Sequence, residues 1–130
     1  MVEPLVETYG DVTDHVTNIY CIDIDGTLTK PHRGTPWTAV PIKSRIDKVN
    51  ELYEEGATIY LMTARGFIRS QEHVGTIHDQ QGIADEHARE RTEAQLKKWG
   101  VKYHALYFGK PRAVTYVDDR AVNDKEFFDD

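Results

Sequence analysis

Ile19-Tyr20-Cys21-Ile22-Asp23-Ile24-Asp25-Gly26-Thr27-Leu28-Thr29 joins a β-branched and aromatic run to an acidic turn. Residues 19–24 have the composition of a buried strand, and Asp25-Gly26 ends it. Downstream, Ile42, Ile46, Val49, Leu52 and Tyr53 recur at steps of three and four. That spacing predicts a helix over 42–55, stopped by Gly56. Residues 57–63 (Ala-Thr-Ile-Tyr-Leu-Met-Thr) read as a second strand. Strand, helix, strand in this order implies a parallel pair with a right-handed crossover, hence an α/β domain. Between them, Pro31, Pro36 and Pro41 make 29–41 a loop or short flap. Further on, 66–83 is long, polar and glycine-punctuated and reads as a loop. A second helix is expected over about 84–99, with Ala84, Ala88, Leu96 and Trp99 inward, and then strands over 103–108 and 114–118.

The bulk properties narrow the class. A chain of 130 residues is one ordinary domain. Residues 1–18, polar and broken by Pro4 and Gly10, are expected to be a tail or edge segment, leaving 19–130 as the domain. The net charge of −6, from 16 basic and 22 acidic residues, argues against a general nucleic-acid binder. A single cysteine, Cys21, cannot close an internal disulfide and suggests a reducing, cytoplasmic setting. It is read as a small buried hydrophobe. No apolar run is long enough to span a bilayer, and the first residues lack the pattern of a signal peptide.

The chemistry concentrates at strand ends. Asp23 and Asp25 close the first strand, and Asp118 and Asp119 close the last one expected. In parallel α/β sheets ligands bind outside the carboxyl ends of the strands. A buried carboxylate pair costs several kcal/mol unless a cation or a proton compensates it. Four acids so placed suit a hard divalent cation such as Mg2+, which prefers oxygen ligands and also binds phosphate.

Asp23-Ile24-Asp25-Gly26-Thr27-Leu28-Thr29 resembles the first motif of the haloacid dehalogenase (HAD) superfamily phosphatases. Thr63, in Leu61-Met62-Thr63-Ala64-Arg65-Gly66, resembles their second motif, and Lys110, in Phe108-Gly109-Lys110-Pro111, their third. Tyr116-Val117-Asp118-Asp119-Arg120-Ala121 resembles the fourth. The matches keep the family's order over residues 19–121, and their wording is most similar to small phosphatases of capsule and surface-polysaccharide synthesis. The resemblance implies a Rossmann-like core with a mainly parallel sheet flanked by helices. It implies an aspartyl-phosphate mechanism with Asp23 as nucleophile and Asp25 as general acid and base, holding a proton near neutrality. Mg2+ would be held by Asp23, the Asp25 carbonyl and Asp118, with Asp119 direct or one shell out. Thr63 and Lys110 would bind the phosphoryl group, with Gly26, Thr27 and Ala64 beside it.

Residues 26–62 separate the first two motifs and 64–109 the next two, and neither gap holds a separate cap domain. An uncapped site favours hydrolysis over mutase chemistry, which must exclude water. The expected substrate is a small phosphorylated metabolite such as a sugar phosphate. Nucleic-acid ends, a protein substrate and a catalytically idle phosphate-binding module remain alternatives, and a neighbouring subunit in a homo-oligomer could cover the site. Arg65, Arg69 and Arg120 either meet a substrate anion or pair with the chain's own acids. His73, His78 and His87 match no metal spacing. Trp37 reads as a packing residue, with stacking on a sugar or base as the alternative. The three residues between Lys110 and Val114 are too few for a parallel crossover, which usually needs a dozen or more. Either 103–108 is not a parallel strand, or the chain returns irregularly.

Overall fold

A computed structural model of the chain describes residues 18–32, 35–65 and 77–130, with the backbone alone over 77–87. Residues 1–17 of the tail expected at 1–18, and residues 66–76 of the loop expected at 66–83, with Arg69 and His73, lie outside the described residues. Strand β1 spans Ile19–Asp23, helix α1 Lys43–Glu54, strand β2 Thr58–Thr63, helix α2 Ile77–Trp99, strand β3 Ala105–Phe108 and helix α3 Asp124–Phe128. The strands form one parallel sheet in the order β1-β2-β3. This is the α/β arrangement, a parallel sheet flanked by helices, that the alternation of strand and helix signals implies.

Alternation along β2 explains its placement. Ile59, Leu61 and Thr63 are buried, while Thr58, Tyr60 and Met62 between them are half-covered. Ile22 from β1, Ile24 just after it, Ile46 and Val49 from α1, Leu96 from α2 and Leu106 from β3 join Ile59 and Leu61 in one core. Each fully buried branched aliphatic contributes about 1.5–3 kcal/mol. Leu61→Ala would cost about 2–5 kcal/mol, because neighbours relax only partly into such a cavity. Gly56, at φ +101°, ends the α1 turn in a conformation that side chains resist.

Three expectations change. Helix α2 begins at Ile77, so 77–83 is helical and Gly82 lies inside it, a cost of about 1 kcal/mol that a 23-residue helix absorbs. Cys21 is exposed, because it lies on the opposite face of β1 from Ile22 and β1 has no outer neighbour among the described residues. No strand forms over 114–118. Residues 105–108 are a parallel strand, and the chain returns irregularly. The Tyr116 hydroxyl accepts from Ala113 N–H at 3.1 Å and donates to the Pro111 carbonyl, curling the segment on itself. Val114 and Val117 are 103% and 93% exposed. A parallel strand beside β1 would demand a crossover from the far edge of the sheet, and the link is too short for one.

The C-terminal helix is held by a buried cation. Arg45 donates to both carboxylate oxygens of Asp130 (2.8 and 2.7 Å), to Asp124 (2.7 Å) and to the Thr27 carbonyl (2.9 Å). Its guanidinium also covers the Phe128 ring at 4.8 Å. No helix among the described residues is long and apolar enough to cross a membrane.

Candidate active site

The site is the turn that leaves β1. Leu28 N–H returns to the Ile24 carbonyl at 2.8 Å, and Gly26 sits at φ +82°, where a side chain would be strained. Gly26 N–H donates to the buried Thr29 hydroxyl at 3.1 Å. An isolated antiparallel bridge, Thr29 with Pro41, closes the base of the proline-rich flap. The turn is thereby fixed from both sides, and it presents Asp23 and Asp25 at the carboxyl end of the strand.

Each carboxylate has its own cation. Lys110 Nζ lies 3.3 Å from Asp23 Oδ1, and the Thr27 hydroxyl donates to Asp23 Oδ2 at 3.3 Å. Lys110 reaches this position from the loop after β3, its own N–H bonded to the Thr63 carbonyl at 3.1 Å. Burial pushes the Asp23 pKa up from the usual carboxylate value, and Lys110 opposes that push. Asp25 differs. Arg65 donates to both of its oxygens at 2.9 Å, Thr63 Oγ1 donates at 3.4 Å, and His32 Nε2 lies 3.4 Å away. Burial alone would raise the Asp25 pKa, yet the Arg65 fork outweighs it and holds the carboxyl below its usual value. In this arrangement the ionised form of Asp25 is favoured, whereas the family resemblance implies a proton held near neutrality.

Arg65 is buried and held from α2, where Gln95 Oε1 and the Thr92 hydroxyl accept from it at 2.5 and 3.4 Å. Arg65 N–H also binds Thr63 Oγ1 at 3.0 Å, across Ala64. In this structure Arg65 pairs with one of the chain's own acids, Asp25.

Asp23, Asp25, Gly26, Thr27, Thr63, Ala64, Arg65 and Lys110 are thus brought to one turn. Asp118 and Asp119 are not. Both are exposed, and Asp118 Oδ1 caps Arg120 N–H at 2.7 Å in the loop that replaces the expected strand. Among the described residues no group of three His, Cys, Asp or Glu could hold a metal. The four-acid Mg2+ site is therefore not assembled in this arrangement, where Lys110 and Arg65 balance the two carboxylates.

Sequence reasoning missed His32, Arg45, Thr92 and Gln95. Arg45 left a readable signal, since it falls within the apolar row Ile42, Ile46, Val49, where a cation must find partners. His32 left none.

No protein-family model and no curated protein matches the chain. The fold is similar to the crystal structure of a protein from Vibrio cholerae solved as an MCSG target. The TM-score is 0.70 and the identity 29%, covering 86% of this chain and 88% of the other. A second similarity is to D,D-heptose 1,7-bisphosphate phosphatase from B. bronchiseptica complexed with magnesium and phosphate. It has a TM-score of 0.47 and 14% identity, over 81% of this chain and 54% of that one.

Proposed function

We propose that the chain is a HAD-type phosphomonoester hydrolase acting through an aspartyl-phosphate on Asp23. The observation that carries this reading is the Asp23 carboxylate at a strand end, flanked by Lys110 at 3.3 Å and by the Thr27 hydroxyl. A carboxylate whose pKa is raised by burial is a better nucleophile once ionised, and Lys110 favours the ionised form. In the first step an Asp23 oxygen bonds to phosphorus, the ester P–O bond breaks, and the departing oxygen takes a proton to leave as an alcohol. In the second, water attacks phosphorus, the bond to Asp23 breaks, and inorganic phosphate leaves. Lys110 neutralises charge on the transferring group, and Thr63 stands beside it as a hydroxyl donor.

Asp25, ionised against Arg65, is set to accept the proton of the attacking water. To act as an acid on the leaving group it must first part from Arg65 and take a proton from solvent, which it then passes to the departing oxygen. Mg2+ belongs to this reading through the family resemblance alone. The donor set is not assembled, and no step is routed through it.

A small phosphorylated metabolite, such as a sugar phosphate, is the substrate class proposed. The test is phosphate release from an aryl phosphate, sugar phosphates, nucleotides and end-phosphorylated oligonucleotides, with wild type and Asp23→Asn. Turnover of a sugar phosphate that Asp23→Asn abolishes supports the proposal. Turnover confined to oligonucleotides would shift the substrate to nucleic-acid ends, and activity surviving in Asp23→Asn would remove the nucleophile.

A further inference from the structure

We propose that the groove between α2 and the Pro36–Thr38 turn binds a phosphorylated ring compound, a sugar or a nucleoside, at a site separate from Asp23 and Asp25. The groove has a volume of about 390 Å³ and is lined by Trp37, Arg91, Ala94, Gln95, Lys98 and Trp99, with Ala39 at its edge. Residues 91, 94, 95 and 98 fall on one helical face. Ala94 has almost no side chain, and the space it leaves lies between two cations and two indoles.

The cations are the unusual feature. The chain has 22 acidic residues for 16 basic ones, yet neither Arg91 nor Lys98 forms an ion pair among the described residues. The Arg91 guanidinium stands instead 4.1 Å from the centre of the Trp37 ring. Two uncompensated positive charges attract an anion, and the indole faces favour a ring beside it. Gln95 is committed, donating to the Pro36 carbonyl at 3.0 Å and accepting from Arg65, so it shapes the groove.

Arg65 makes the two sites distinct. Its guanidinium carbon lies 5.4 Å from the Trp37 ring on one side, while its fork holds Asp25 on the other. The residues that line the groove include neither carboxylate, and Arg65, itself outside the lining, contacts both Trp37 and Asp25. The inference therefore does not depend on the hydrolase reading.

The chain contains 2 tryptophans, and both line this groove, so its intrinsic tryptophan fluorescence reports on the site directly. The experiment titrates the full chain with glucose 6-phosphate, uridine 5′-monophosphate and inorganic phosphate. A saturable change is expected with one or both ring compounds, and whichever binds more tightly names the source of the ring. Arg91→Ala and Lys98→Ala, at exposed positions that leave the circular dichroism spectrum unchanged, should each weaken it about tenfold. Asp23→Asn should leave it intact. The proposal fails if neither ring compound gives a saturable change, or if inorganic phosphate binds as tightly. It also fails if both alanine variants bind undiminished, or if Asp23→Asn abolishes the signal, which would place the ligand at the turn instead.

Discussion

Arg65 grips Asp25 through two hydrogen bonds of 2.9 Å, Nε to Oδ2 and a terminal nitrogen to Oδ1. The geometry is the planar fork that only an arginine supplies, and its far side is fixed by Thr92 and Gln95. A side chain that is 1% exposed pays for desolvation with every donor it carries, so its partners cannot be removed singly without consequence.

Asp25→Asn should therefore lower stability as well as alter turnover. Removing one member of a buried pair costs about 3–5 kcal/mol, discounted here because Asp25 is 28% exposed, to about 2 kcal/mol. Urea unfolding measures the loss. Asp25→Asn combined with Arg65→Met should recover part of it, since the stranded cation goes too. A single variant as stable as the parent would show that the pair contributes nothing.

The position of Lys110 sets a pH dependence. Burial raises the Asp23 pKa and Lys110 lowers it, so the acid limb of kcat/KM belongs above the ordinary carboxylate range. Lys110→Met removes the opposing charge, and the limb should move to higher pH. Loss of rate with the limb unmoved would mean that Lys110 acts on the phosphoryl group alone.

Arg45 links stability to acid. It holds the Asp130 carboxyl below its usual value, chiefly through their hydrogen bonds. A carboxyl depressed on folding stabilises at pH values above its unfolded pKa, and this contribution is lost as pH falls through the folded one. Arg45→Met should therefore be less stable than the parent at pH 7, and the difference should narrow below about pH 4. Chemical denaturation at both pH values tests it. A constant difference would assign the loss to packing against Phe128.

The segment after Lys110 is open to a direct check. None of Val114 to Asp118 donates a backbone hydrogen bond among the described residues, and the valines stand in solvent. Their amides should exchange with deuterium near intrinsic rates in metal-free buffer. Protection there would mean that a fourth strand forms, and with it the means of bringing Asp118 toward Asp23.

The sheet was legible because its signals are local. A β-branched run, a glycine stop and a helical row of isoleucines and valines each announce themselves within a dozen residues. The turn at Asp23 was legible for the same reason. The charge state of Asp25 was not, since it depends on Arg65, 40 positions away, and on the residues of α2 that steer it. Val114-Thr115-Tyr116-Val117 has strand composition and no strand, because propensity does not supply the crossover that a parallel neighbour requires. Cys21 was misjudged on the same account, as a strand taken for interior lies at the border of the sheet.

That border has a practical side. Among the described residues nothing hydrogen-bonds to the outer edge of β1, which leaves a short row of amides and carbonyls able to template a strand from another molecule. Ile19 and Cys21, both exposed, flank this row. In concentrated or partly oxidised samples this is where chains would first adhere, by ladder growth or by a thiol bridge. A lysine in place of Cys21 would discourage both without touching the core, though its charge would be felt at Asp23, two residues along the same face of the strand.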